Sequence, residues 1–112
     1  MSDCLFCRIA AGEIPADIVY QDEKVVAFRD INPKAEVHLL LIPREHVDSL
    51  NAVTPAHDEL LGYMLRLTAK LAREQGLADG YRTIVNTGPG GGQVIFHLHL
   101  HLLGGTGLPG FE

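Results

Sequence analysis

The stretch His97-Leu98-His99-Leu100-His101-Leu102-Leu103 alternates histidine and leucine with a period of two. In a β-strand successive side chains point to opposite faces, and same-face neighbours lie roughly 6.6 Å apart. The alternation predicts a strand over residues 95–103, with Leu98, Leu100 and Leu102 on a core face and three imidazoles aligned on the other. Imidazoles at that spacing can straddle one tetrahedral phosphate. They can equally hold a metal, since histidine is a common zinc ligand. Histidine titrates near working pH, and the neutral ring can attack phosphorus and carry the transferred group covalently. The spacing alone leaves an enzyme and a metal site equally open.

Immediately upstream, Asn86-Thr87-Gly88-Pro89-Gly90-Gly91-Gly92-Gln93 puts four glycines within five positions. Glycines let backbone N–H groups approach an anion closely and form a concave nest. Taken alone the stretch is a flexible hairpin loop. Beside three histidines it reads as a phosphate cradle.

Working further outward, the long helix begins at Thr54. Thr54 caps it, Pro55 suits the first helical position, and Asp58 with Glu59 complement the dipole. Leu60, Met64, Leu67 and Leu71 recur at helical spacing beside Leu61, Leu65 and Ala72, giving one broad apolar face. Lys70 and Arg73 stand near its end, and Gly76 suits the residue just past it. His57, in the first turn, reads as a surface residue.

Residues 4–11 predict a short N-terminal helix closed by Gly12. Strands are expected at residues 18–21 and 24–29, around an Asp22–Glu23 turn, and at residues 37–42, stopping at Pro43. Another is expected at residues 81–86. About five strands, one long helix and a short N-terminal helix give an α+β fold, a mostly antiparallel sheet covered on one face.

The chain has 112 residues, 46% hydrophobic and 21% charged, which suits one globular domain over residues 1–112. The net charge of −5 argues against a protein that grips nucleic acid through a basic face. No run approaches the roughly 18 apolar residues of a membrane span, and residues 1–20 lack signal-peptide order. The expected location is the cytoplasm, where Cys4 and Cys7 would be reduced. The Cys4-Leu5-Phe6-Cys7 pair has no preceding strand, which argues against a thioredoxin-like redox site. A tetrahedral zinc would need about two more ligands.

Taken together, these residues resemble the histidine triad family, within it the Hint-like branch of purine nucleotide hydrolases and transferases. The motif His-x-His-x-His followed by apolar residues is matched over His97–Leu103. The likeness extends through Gly12-Glu13-Ile14-Pro15, Phe28-Arg29-Asp30-Ile31-Asn32-Pro33, His38-Leu39-Leu40-Leu41-Ile42-Pro43, Asn86 and Gly91-Gly92-Gln93. The resemblance implies the HIT-like fold and a homodimer with a continuous sheet across its interface. It also implies a purine nucleotide site without an organic cofactor.

His99 would attack the α-phosphate and form a nucleotidyl-histidine that water hydrolyses. His101 would contact the phosphate, and His38 and His97 would complete the histidine network. Phe28, Asp30 and Ile31 would line the nucleoside pocket, with Asp30 accepting the ribose hydroxyls. Without the resemblance, Asp30 is a turn residue beside Asn32-Pro33. Asn86, Gly92, Gln93 and Val94 would shape the phosphate end.

The chain departs from the family at Val94, where several relatives carry a serine, and in a tail, residues 104–112, that has no tryptophan. Some bacterial members bind zinc through a cysteine pair, a histidine after the Ile-Pro turn and the first triad histidine. Those positions here are Cys4, Cys7, His46 and His97. The resemblance points to hydrolysis of nucleoside 5′-phosphoramidates or aminoacyl-adenylate-like substrates to AMP or GMP. The alternatives are a dinucleoside polyphosphate hydrolase, a nucleotide-binding adaptor without turnover, and a zinc-binding regulator.

Overall fold

The computed structural model describes residues 3–110. Its elements run α1 (Leu5–Ala10), β1 (Ile18–Gln21), β2 (Val25–Arg29), β3 (Val37–Pro43), α2 (Asp58–Glu74), β4 (Arg82–Ile84) and β5 (Leu100–Gly104), with short 3₁₀ turns between some of them. The five strands form one antiparallel sheet in the order β1-β2-β3-β5-β4. This is the α+β arrangement that the alternating strands and single long helix imply.

Period-two alternation in β3 sorts the sheet into two faces. Leu39 and Leu41 pack with Val25, Ala27, Leu100 and Leu102 against Met64, Leu67 and Leu71 of α2. Leu40 and Ile42 point the other way and join Val26, Phe28, Phe6 and Ile9. The sheet is therefore covered on both faces, where the sequence reading expected one. The second cover is α1, whose six residues bury Phe6 and Ile9. Each fully buried side chain of this kind contributes about 1.5–3 kcal/mol.

Helix α2 carries the expected signals with one shift. Thr54 does cap the segment, but its first turn, Pro55–His57, is 3₁₀, and the α-helix proper begins at Asp58. His57 is not a bare surface residue. Its Nδ1 accepts the Thr54 N–H at 3.0 Å, completing a capping box, and its Nε2 lies 3.0 Å from Glu45 Oε2. At the other end the Gly76 N–H reaches the Arg73 carbonyl and the Leu77 N–H reaches that of Ala72, a Schellman closure. Gly76 adopts φ +80°, which a side chain would oppose. The apolar face is narrower than its spacing implies, since Leu65 is 56% exposed.

The two strands bordering the glycine loop are shorter than expected. β5 starts at Leu100, opposite Leu41, although alternation suggested residues 95–103. The ladder stops there because Pro43, at the end of β3, has no N–H to give. The Leu98 N–H turns instead to the Val47 carbonyl at 2.7 Å. β4 shrinks in step, its last pair being Ile84 with His101.

Candidate active site

The end of β5 therefore splits the histidine row. His101 lies on the strand, on the same face as Leu40, its partner in register. His97 and His99 lie on the irregular segment that leads into it. All three are shielded to different degrees: His97 is fully buried, His99 nearly so, and His101 half-buried.

At His99, Nδ1 sits 2.7 Å from the backbone carbonyl oxygen of His97. A carbonyl only accepts, so Nδ1 carries the proton and Nε2 keeps its lone pair. Nothing among the described residues hydrogen-bonds that Nε2. The ring packs edge-on against Phe6 at 5.1 Å and His101 at 5.0 Å, which fixes its plane.

A second chain of hydrogen bonds sets the tautomers of its neighbours. The Lys34 backbone N–H donates to His38 Nδ1 at 3.0 Å, so His38 carries its proton on Nε2. That Nε2–H lies 3.0 Å from His101 Nδ1 and donates to it. His101 in its neutral form then presents Nε2–H as a donor. Burial pushes the His101 imidazolium down to about 4, helped by the charges of His99 and His38, so the neutral form holds at pH 7. Burial also lowers His38, opposed by the Asp30 carboxylate 3.5 Å away.

His99 and His101 open onto a cavity of about 310 Å³, which Asp30, Lys34, Asn86, Gly92 and Val94 also line. A second, more apolar cavity of about 360 Å³ adjoins it, bounded by Phe28, Asp30 and Ile31 together with Leu5, Phe6 and Ile9 of α1. The two share Phe6, Asp30, Asn32, Leu40 and Ile95. One end offers two imidazoles and a lysine, the other an apolar slot.

Asp30 stands at the junction, with Oδ1 accepting the Asn32 N–H at 2.8 Å. The turn-forming and ligand-facing readings of Asp30 are thus compatible. Gly92 adopts φ +87° at the loop's close, a backbone conformation side chains resist. Gln93 is buried beneath the loop, holding the Gly88 N–H at 2.8 Å and bonding the carbonyls of Asp48 and Ile95. Any influence of Gln93 on a ligand passes through the shape of the loop.

Three participants went unnoticed in the sequence. Lys34 follows a proline in a turn and gives no periodic signal. Leu40 looks like any core leucine in β3. Phe6 had a clue, since it lies between two cysteines, but its contact with His99 is a tertiary fact.

On the far side of His97 lies a second cluster, in which Cys4, Cys7, His46 and His97 bring four ligand atoms within 4.8 Å of one another. His97 Nε2 lies 2.8 Å from the Pro43 carbonyl oxygen, so it is the protonated nitrogen. His97 Nδ1 thereby turns a lone pair toward Cys4 Sγ at 3.3 Å, Cys7 Sγ at 3.5 Å and His46 Nδ1 at 3.2 Å. His46 is held the same way, with Nε2 2.7 Å from Asp48 Oδ1 and Nδ1 3.3 Å from Cys7 Sγ.

Two imidazole lone pairs at this distance repel unless a cation or a shared proton stands between them. Around a tetrahedral zinc, ligand atoms of these types lie roughly 3.3–3.8 Å apart. A carbonyl and a carboxylate behind the two rings are the usual outer partners of metal-bound histidine. Burial lowers the His97 pKa, which favours the neutral ligand form. The donor set fits a structural zinc site.

Known proteins bear on both clusters. A family model described as HIT domain matches residues 11–108. The chain is 49% identical over 107 residues to the purine nucleoside phosphoramidase of Escherichia coli K12, covering 95% of this chain and 90% of that one. It is also 49% identical over 107 residues to the 14 kDa zinc-binding protein of Zea mays, covering 93% and 83%. A crystal structure of a histidine triad protein from Clostridium difficile superposes with a TM-score of 0.94 at 42% identity, over 100% of this chain and 98% of the other. No helix among the described residues is long and apolar enough to cross a membrane. The chain belongs to the HIT family.

Proposed function

We propose that the protein hydrolyses purine nucleoside 5′-phosphoramidates, or related aminoacyl-adenylate-like compounds, through a nucleotidyl-His99 intermediate. The observation that carries the reading is the 2.7 Å bond from His99 Nδ1 to the His97 carbonyl, which leaves Nε2 as the nucleophilic nitrogen. The base enters the apolar cavity between α1 and β2, the ribose hydroxyls meet Asp30, and the α-phosphate lies among His99, His101 and the Gly92 loop.

The His99 Nε2 lone pair forms the new N–P bond while the P–N bond to the amine breaks. The imidazolium charge created on His99 is stabilised through Nδ1–H by the His97 carbonyl. His101 Nε2–H donates to a phosphoryl oxygen as negative charge builds there, and Lys34 adds a cation. The amine leaves with a proton drawn from solvent, since Val94 has no hydroxyl and is 85% exposed at the cavity mouth. Water then attacks phosphorus, breaks the N–P bond and releases the nucleoside monophosphate. A phosphorus–nitrogen bond suits such a site, because an amine needs only modest help to leave.

Cys4, Cys7, His46 and His97 would hold zinc, which supplies a structural cross-link between α1 and the segment entering β5. The resemblance to the E. coli and maize proteins supports the substrate class and the metal, respectively. A homodimer joined along the short edge strand β4 and the exposed flank of α2 completes the reading. Leu65 and Leu50, both well exposed beside an apolar hollow of about 160 Å³, support that face. Light scattering on the purified chain tests the dimer, which a monomeric mass at micromolar concentration excludes.

Trapping tests the chemistry. Acid quench during turnover of an adenosine phosphoramidate should leave AMP on His99, read by peptide mass spectrometry. An adduct elsewhere, or turnover without one in a His99→Ala variant, defeats the assignment. Faster cleavage of diadenosine polyphosphates than of the phosphoramidate would shift the substrate class.

A further inference from the structure

We propose that the Cys4–Cys7–His46–His97 cluster is a clamp on the base pocket: once loaded with metal, it holds α1 as the wall against which the purine ring packs. This rests on the nucleotide reading above and extends it from chemistry to affinity.

Helix α1 has only six residues, far below the roughly 12–15 at which an isolated helix becomes even marginally stable. Its position depends on tertiary anchors. At its N-terminal end Cys4 Sγ accepts the Cys7 N–H at 3.3 Å, so the capping atom is itself one of the four ligand atoms. Phe6 and Ile9 bury one face on Val26, Phe28, Leu40 and Ile42. At its C-terminal end Arg44 Nη1 donates to the Ala10 carbonyl at 2.6 Å. Two of the three anchors are ordinary. The first gathers two imidazole lone pairs and two thiols that a cation would hold together.

The anchored helix supplies one side of the apolar cavity through Leu5, Phe6 and Ile9. None of the groups expected at the phosphate, His99, His101, Asn86 and Gly92, belongs to it. Phe6 bridges the two sites, its ring lying 6.0 Å from that of His97 and 5.5 Å from that of Phe28. Loosening α1 therefore opens chiefly the base end; at the phosphate end it removes only the Phe6 edge contact with His99, while His101, Asn86 and Gly92 are held by other elements. The metal should govern the affinity for the base far more than that for ribose phosphate.

The test is calorimetric binding of AMP and of ribose 5-phosphate to zinc-loaded and chelator-stripped protein, with amide hydrogen exchange on both forms. Stripping should raise exchange at residues 5–10 while β3 and α2 stay protected, and weaken AMP about tenfold. A tenfold loss corresponds to the competent position of α1 falling to about a tenth of the population. Ribose 5-phosphate should change by less than about twofold.

Equal AMP affinity with and without metal overturns the clamp alone, as does exchange that rises equally in α1, β3 and α2. Loaded protein that binds neither ligand overturns the nucleotide reading and the clamp with it. Phe6→Ala, checked for retained zinc, gives a second arm free of chelator. Selective loss of AMP supports the wall, whereas an equal loss of both ligands, or none, refutes it.

Discussion

His97 and His101 stand four residues apart in one repeating motif, yet the fold gives them opposite chemistry. His97 donates Nε2–H to a backbone carbonyl and turns Nδ1 toward two thiols and another imidazole. His101 accepts at Nδ1 from His38 and keeps Nε2–H as a donor at the cavity. The same side chain turns a lone pair toward the thiols in one place and a donor toward the cavity in the other, depending on which nitrogen meets an acceptor. His99, between them, takes its tautomer from the His97 carbonyl, so the segment beside the thiols also orients the ring at the cavity.

The largest effects should separate the two ends outright. His99→Ala should lower the turnover rate at least about a thousandfold, as expected when a covalent nucleophile is removed. Zinc content and AMP affinity should stay near the original. His97→Ala should do the reverse at first sight, losing the metal and about 3 kcal/mol or more of stability, because a buried, bonded ligand is deleted. Metal analysis and denaturant melts on the two variants check the division. Equal metal loss in both would erase the contrast.

How far this division could be read from sequence depends on the range of the cause. Alternation around Leu98, Leu100 and Leu102 announced their burial, and all three are buried. The cap at Thr54 and the stop at Gly76 are local chemistry and were legible too. The early end of the β5 ladder was not, because it is caused by Pro43, more than fifty residues upstream in the chain. Cover on the second sheet face escaped for a similar reason: a six-residue helix carries too little periodicity to show which face it buries. The Cys–His ligand set came from family resemblance. Spacing alone left the histidines open between metal and catalysis, and in the structure they border both the Cys–His cluster and the cavity.

A middle-sized effect sharpens the donor end. His101 is held down to about 4 by burial and by neighbouring His99 and His38, against an unfolded value of 6.5. The folded value lies below the unfolded one, so between these pH values the unfolded chain binds a proton that the folded chain refuses. Its contribution to stability is whole above pH 6.5 and is lost as pH falls toward 4. Protonated His101 also ceases to accept from His38. The rate should therefore fall on the acid side as pH approaches 4. His38→Ala should lower turnover about 10- to 100-fold by freeing the His101 tautomer, with a smaller change in KM. A pH–rate profile of the parent with no acid limb above pH 3.5 would contradict the burial argument.

The smallest effect lies at Val94, where the two ends have no say. The residue is 85% exposed and lines the cavity, so Val94→Ser removes almost no packing and should change stability by less than about 0.5 kcal/mol. What it adds is a hydroxyl on the side where the amine departs. For amines that leave easily the rate should hardly move, since the N–P bond to His99 forms without proton transfer to the leaving group. For poor leaving groups the rate should rise several-fold, because a hydroxyl relays a proton better than bulk solvent held at one position. A series of phosphoramidates differing only in amine basicity measures this as a shallower slope of rate against basicity. An unchanged slope would mean that solvent already protonates the leaving nitrogen in full, and that the division of labour among the three histidines is complete without position 94.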